Sequence, residues 1–117
     1  MNRIIDFEKF KEQCATYDKA TLRVLLFDWA FQRTLHELVL VNAINNCHAD
    51  GTYISKDENI ANLDNTIQGE RILINLLGRK EAARVYGKFE GITSDVKTVD
   101  YVLNTDFVSH YKSLDKS

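Results

Sequence analysis

Proline is absent from all 117 residues, and glycine occurs only five times, at positions 51, 69, 78, 87 and 91. Sheet proteins turn often, and turns recruit both residue types. Their scarcity argues against a many-stranded fold and for few, long elements. Cysteine is scarce too. Cys14 and Cys47 are too few for a disulfide framework, and both fall in helical patterns, so reduced thiols in a cytoplasmic protein are expected. The longest apolar runs are Val24–Phe27 and Leu38–Val41, whereas a membrane span needs about 20 such residues. No membrane partner is expected. The start, Met1-Asn2-Arg3-Ile4-Ile5-Asp6, meets acid at once and lacks the apolar stretch of a signal peptide. Neither sign of charge dominates: the formal net charge is −2, which makes no general case for nucleic acid or an anionic membrane.

What is present is an ordinary globular composition, 44% hydrophobic and 27% charged. That suits a single domain over residues 1–117 with one modest core. The polar residues 112–117 read as a frayed tail. The pattern predicts an all-α bundle of about five helices. Phe7, Phe10 and Cys14 repeat at helical spacing in a first helix from Asp6 to about Tyr17. Asp18 or Thr21 caps a long helix reaching about Cys47, with Gly51 as a left-handed stop. Thr52-Tyr53-Ile54 reads as a short extended piece. Ser55 and Glu58 form a capping box for a third helix carrying Ile60, Leu63, Ile67, Ile74 and Leu77, closed by Gly78. Gly69 inside it marks close packing or a bend. A short helix covers about Lys80–Lys88. Thr93 or Ser94 caps a fifth with Val96, Val99, Leu103 and Phe107, which Asn104-Thr105-Asp106 can divide.

The long helix, about 27 residues or 40 Å, carries two apolar stripes. Phe27, Phe31, Leu35, Leu38 and Val41 lie on one side; Leu22, Leu26, Trp29, Leu40 and Ile44 lie roughly opposite. A surface helix needs only one. Either this is the central helix, wrapped by the others, or its second side meets another copy of the chain. The candidate self-association face is Leu22, Leu26, Trp29, Leu40 and Ile44.

Reactive constellations are lacking. No phosphate loop or dinucleotide fingerprint occurs, and His36-Glu37 lacks the second histidine of a zinc-protease helix because position 40 is leucine. His36 reads as a packed histidine and Cys47 as a structural cysteine. Asp50, Ser55, Asp57 and Glu58 do not have calcium-loop spacing. No catalytic residue, metal or cofactor is therefore expected. One charge feature stands out. Residues 68–90 hold five basic and three acidic side chains. Lys80, Arg84 and Lys88 recur every four residues beside Arg79, with Tyr86 nearby, as a candidate stripe for nucleic acid or an acidic partner. A solvated helix face is its plainer reading.

Asp18, Leu22, Leu25 and Trp29-Ala30 open a long helix; Gly51 ends a turn; Leu77-Gly78 closes a second helix; Ala82-Ala83-Arg84 follow. Over Asp18–Lys88 this order resembles the core of small-terminase subunits of tailed phages. The resemblance implies an oligomeric, non-catalytic adaptor that recruits DNA to a packaging motor in the host cytoplasm. The favoured expectation is thus a self-associating, non-enzymatic binding protein of phage or mobile-element type, acting through helix surfaces on a macromolecular partner. The runner-up is a small phage-encoded inhibitor of a host protein such as a defence nuclease.

Overall fold

In a computed structural model that describes residues 6–41, 56–89 and 96–113, the chain is all-α: those residues form six helices and no strand. They are α1 (Phe7–Cys14), α2 (Lys19–Val41), α3 (Lys56–Leu77), α4 (Arg79–Phe89), α5 (Val96–Asn104) and α6 (Phe107–Ser113). No described helix is long and apolar enough to cross a membrane.

The helix ends follow from local chemistry. Asp6 caps α1, its carboxylate accepting from the Glu8 and Lys9 amides at 3.1 and 3.2 Å. Asp18, rather than Thr21, caps α2: its Oδ1 accepts from the Thr21 amide at 2.8 Å. Gly78, at φ 95°, ends α3 in the left-handed region, and its amide donates to the Ile74 carbonyl at 2.8 Å. α4 starts at the next residue. Asp106 accepts from the Ser109 amide at 3.1 Å and opens α6, so the fifth expected helix is two. α1 stops at Cys14, and the Tyr17 hydroxyl instead accepts from Gln13 Nε2 at 2.8 Å. Cys47, Ile44, Gly51, the 52–54 piece, Ser55, the caps at 93 and 94, and most of the 112–117 tail lie outside the described residues.

The central helix is α3, not α2. It packs against all five others, with α2 as its main neighbour. Two apolar clusters lie along it. Leu73, Ile74 and Leu77 join Leu22, Leu26 and Ala30 of α2, Ala82, Ala83, Val85 and Tyr86 of α4, Val99 and Val102 of α5, and Cys14 of α1. Ile60, Leu63 and Ile67 join Phe107 and Tyr111 of α6. Polar Asn59, Thr66 and Glu70 are buried on the same helix, which is why its sequence looks less central than that of α2.

The face proposed for self-association is turned inward. Leu22 and Leu26 are 4% and 0% exposed, Trp29 is half-buried, and Leu40 packs on the second cluster. The physical reason is close approach plus charge pairing. Gly69 of α3 leaves room for the Trp29 ring, which also sits 5.1 Å from the Phe10 ring of α1. Arg33, on this same side of α2, finds carboxylates inside.

A Cβ on Gly69 would fall 2.3 Å from the Trp29 ring. Gly69→Ala should therefore destabilise the fold, overpacking at about 1–3 kcal/mol outweighing a helix-propensity gain of about 1. Trp29 is the sole tryptophan, so its emission should shift in the same variant. An unchanged melting temperature and spectrum would show that the ring yields at no cost.

Candidate functional site

The densest cluster of ionisable side chains lies between the two apolar clusters. Arg33 and Glu37 are one turn apart on α2, and Glu70 stands on α3 between Ile67 and Ile74, at a core-facing position. Arg33 Nε donates to Glu70 Oε1 at 2.8 Å, and Arg33 Nη1 donates to Glu37 Oε2 at 2.5 Å. The Tyr86 hydroxyl of α4 donates to the other oxygen of Glu70. Glu37 Oε1 accepts from the hydroxyls of Tyr101 on α5 and Tyr111 on α6, both at 2.8 Å. The Arg33 guanidinium also lies 5.8 Å from the Tyr101 ring centre.

Burial opposes the charge on Arg33, but Glu70 and Glu37 outweigh it and raise its pKa. Burial pushes the Glu70 carboxyl up, against the pull of Arg33 and Tyr86. Burial and then a facing carboxylate push all three tyrosines up, Tyr101 to about 12. Glu70 is 0% exposed and both its oxygens are taken. The cluster joins five helices, and among the described residues no buried side-chain nitrogen or oxygen lacks a hydrogen-bond partner. Its sequence signals were faint: Arg33 and Glu37 at i, i+4, and a glutamate at the core spacing of α3. Tyr86, expected beside the basic stripe, is instead 1% exposed and belongs here.

Among the described residues no group of three or more His, Cys, Asp and Glu side chains could hold a metal ion. His36 is half-buried, and burial lowers its pKa. Asp57 is exposed on the first turn of α3.

Two surface features remain. The first is the expected basic stripe. Arg79, Lys80, Arg84 and Lys88 share α4 and are all exposed. Two of the four cations are already engaged. Arg79 clasps Asp100 of α5, with Nε at 3.0 Å and Nη2 at 2.6 Å from Oδ1. Arg84 lies 3.2 Å from Glu81, which also pairs with Arg23 of α2 at 3.1 Å.

The second feature is the other stripe of α2. Val24, Phe27, Phe31, Leu35, Leu38 and Val41 are 66%, 43%, 47%, 42%, 52% and 62% exposed. Phe27, Phe31 and Leu38 keep that exposure while also making contacts within the chain. Beside the N-terminal half of this stripe, α2 and α4 enclose an open groove of about 660 Å³, with Val24, Phe27 and Val85 as apolar lining, Arg23, Arg84 and Lys88 as cations and Asp28 and Glu81 as anions.

No family model, curated protein or solved structure matches this chain.

Two measurements test the polar cluster. Arg33→Met should cost about 3–5 kcal/mol in urea unfolding, because it strands Glu70 in the core, while Arg33→Met combined with Glu70→Leu should cost clearly less. Strictly additive losses would mean the pair is not coupled. The second concerns alkali. A tyrosine whose folded pKa lies above its unfolded value stabilises the fold fully below the unfolded value, and that contribution disappears as pH rises through the folded one. For Tyr101 the window runs from about 10 to about 12. Stability should fall across it, and Tyr101→Phe should fall less steeply. Parallel curves would refute the assignment.

Proposed function

We propose that this chain is a non-enzymatic binding protein that associates with itself and works through helix surfaces on a macromolecular partner. The observation that carries the reading is the exposed apolar stripe of α2. At the exposures above, its six side chains offer roughly 600 Å², the upper end of the roughly 300–600 Å² typical of a monomer's largest apolar patch. Such patches mark surfaces that meet other surfaces. The self-associating side is then the one opposite that expected from sequence.

A DNA-recruiting subunit of the small-terminase kind is one form such a protein takes. In that form Lys80, Arg84 and Lys88 would carry the phosphate contacts. The charge favours a protein surface over DNA: the chain is net −2, and Arg79 and Arg84 are held by carboxylates. Three cations alone give a salt slope of only about −3 in log–log terms, hence weak binding near physiological salt.

Native mass should exceed that of a monomer and fall on dilution. Duplex DNA should be retained only at low salt, and less still when Lys80, Arg84 and Lys88 are all replaced by glutamate. A monomer at every concentration overturns self-association. DNA retention that persists at high salt overturns the preference for a protein partner.

A further inference from the structure

Resting on that self-association, we infer that two copies of the chain join by exchanging α6, with residues 104–106 as a hinge that has a bent and a straight state. The helical ladder is intact on both sides of the hinge. The Thr105 amide donates to the Tyr101 carbonyl and the His110 amide to the Asp106 carbonyl, both at 3.1 Å. Among the described residues, only the rungs from the amides of residues 106–109 are missing between them. Polar side chains replace those rungs. Arg71 Nε and Nη2 donate to the Val102 and Thr105 carbonyls at 2.8 and 2.7 Å. The Asp106 carboxylate accepts from the Ser109 amide at 3.1 Å and from the Ser109 hydroxyl at 2.9 Å. Neither proline nor glycine occurs from Val96 to Ser113, so no residue in that stretch forbids one continuous helix, about 27 Å long. In that straight state the amides of Asp106 and Ser109 take the Val102 and Thr105 carbonyls. Each carbonyl thus has a helical donor and a tertiary donor to choose between, and that choice makes the hinge two-state.

Straightening carries α6 off its own α3 and empties the groove it fills. α6 buries two side chains, Phe107 and Tyr111, one turn apart. They pack with Ile60, Leu63 and Ile67 of α3, and the Tyr111 hydroxyl donates to Glu37 of α2 at 2.8 Å. A helix seated by apolar anchors at i and i+4 is a common mode of helix-in-groove recognition. The occupant that fits the vacated groove is already seen in it. α6 of a second copy brings the same two rings and the same hydroxyl, so exchange requires no new complementarity. The connection decides which copy supplies it. Only Thr105 and Asp106 separate α5 from α6. A straight hinge holds α6 in line with α5 and away from its own groove, and short hinges favour exchange over return. Each copy gives one α6 and receives one, so the dimer closes with neither groove empty. Glu37 Oε1 then accepts from Tyr101 of its own chain and from Tyr111 of the second copy, and the buried polar cluster becomes a joint between chains.

Isotope labelling tests it. Carbon-13-labelled and unlabelled chains are unfolded together in urea and refolded at high concentration, and the dimer is isolated by size exclusion. Isotope-filtered NOEs should link the Phe107 and Tyr111 rings of one copy to the Ile60, Leu63 and Ile67 methyls of the other. Two variants move the hinge in opposite directions. Asp106→Ala removes a cap that only the bent state uses, at both hinges of the dimer, so sedimentation should show dimerisation tightened by about tenfold or more. Three glycines inserted between Thr105 and Asp106 keep the cap and the Arg71 contacts, break the straight helix and let α6 reseat on its own α3. That variant should dimerise about tenfold or more weakly, with helix content and melting temperature near those of the wild type. The wild-type NOEs keep the test decisive should either variant lose helix content. A dimer whose α6–α3 NOEs are all intrachain, or one that neither folded hinge variant shifts, overturns the exchange and leaves self-association standing. Wild type and Asp106→Ala both monomeric at every concentration overturn both.

Discussion

Arg33 and Glu70 bring two full charges into the interior, 2.8 Å apart, with Glu70 wholly removed from solvent. Taking ions out of water costs several kcal/mol each, and a single attraction seldom returns all of it. Here further hydrogen bonds gather on both charges. Tyr86 serves the second oxygen of Glu70, Glu37 takes the second donor of Arg33, and Tyr101 and Tyr111 close on Glu37. The cluster therefore works as a geometric constraint more than as a source of stability. Five helices each supply at least one member, and none can shift along its axis without opening a bond.

α3 is built so that three successive residues do three separate things. Gly69 admits Trp29 of α2. Glu70 anchors the ionic cluster. Arg71 reaches the end of α5, its Nε donating to the Val102 carbonyl at 2.8 Å and its Nη2 to the Thr105 carbonyl at 2.7 Å. Those are carbonyls at a helix C-terminus, which lack helical donors and carry partial negative charge. Each step of 100° thus turns a different chemistry toward a different neighbour, and the two apolar clusters extend from this waist in opposite directions.

Much of the scaffold was legible from short-range signals. Asp18, Gly78 and the break at residues 104–106 act within a few residues of themselves, so a sequence displays them. The helix faces were legible as well, through apolar spacing. What spacing leaves undetermined is which apolar face turns inward. Leu22, Leu26 and Trp29 look no more buried than Phe27, Phe31 and Leu38 until their receivers are known, and those receivers lie tens of residues away at Gly69, Leu73 and Ala82. The Arg33–Glu70 pair spans 37 positions, and no local pattern couples them. Tyr86 failed for the same reason: beside Lys88 in sequence it reads as surface, and only the fold places Glu70 before it.

The ionic cluster and the exposed stripe are two ends of one constraint. α2 has two apolar sides, and the inward one carries the charges of Arg33 and Glu37. Counted by apolar side chains alone, the two sides are alike: Leu22, Leu25, Leu26, Trp29, Ala30 and Leu40 face inward, and Val24, Phe27, Phe31, Leu35, Leu38 and Val41 face outward. Hydrophobic burial by itself would not forbid α2 from rolling half a turn and hiding Phe27, Phe31 and Leu38. Rolling would carry Arg33 out to solvent and leave Glu70 charged or protonated in the core without its guanidinium, a loss on the scale of a broken buried pair, about 3–5 kcal/mol. A polar group fixing the rotation and register of a helix is the best-attested use of buried charge. In this chain it selects which of two apolar sides of α2 faces the core. That orientation costs the chain apolar burial along Phe27, Phe31 and Leu38, which keep 43%, 47% and 52% of their surface exposed.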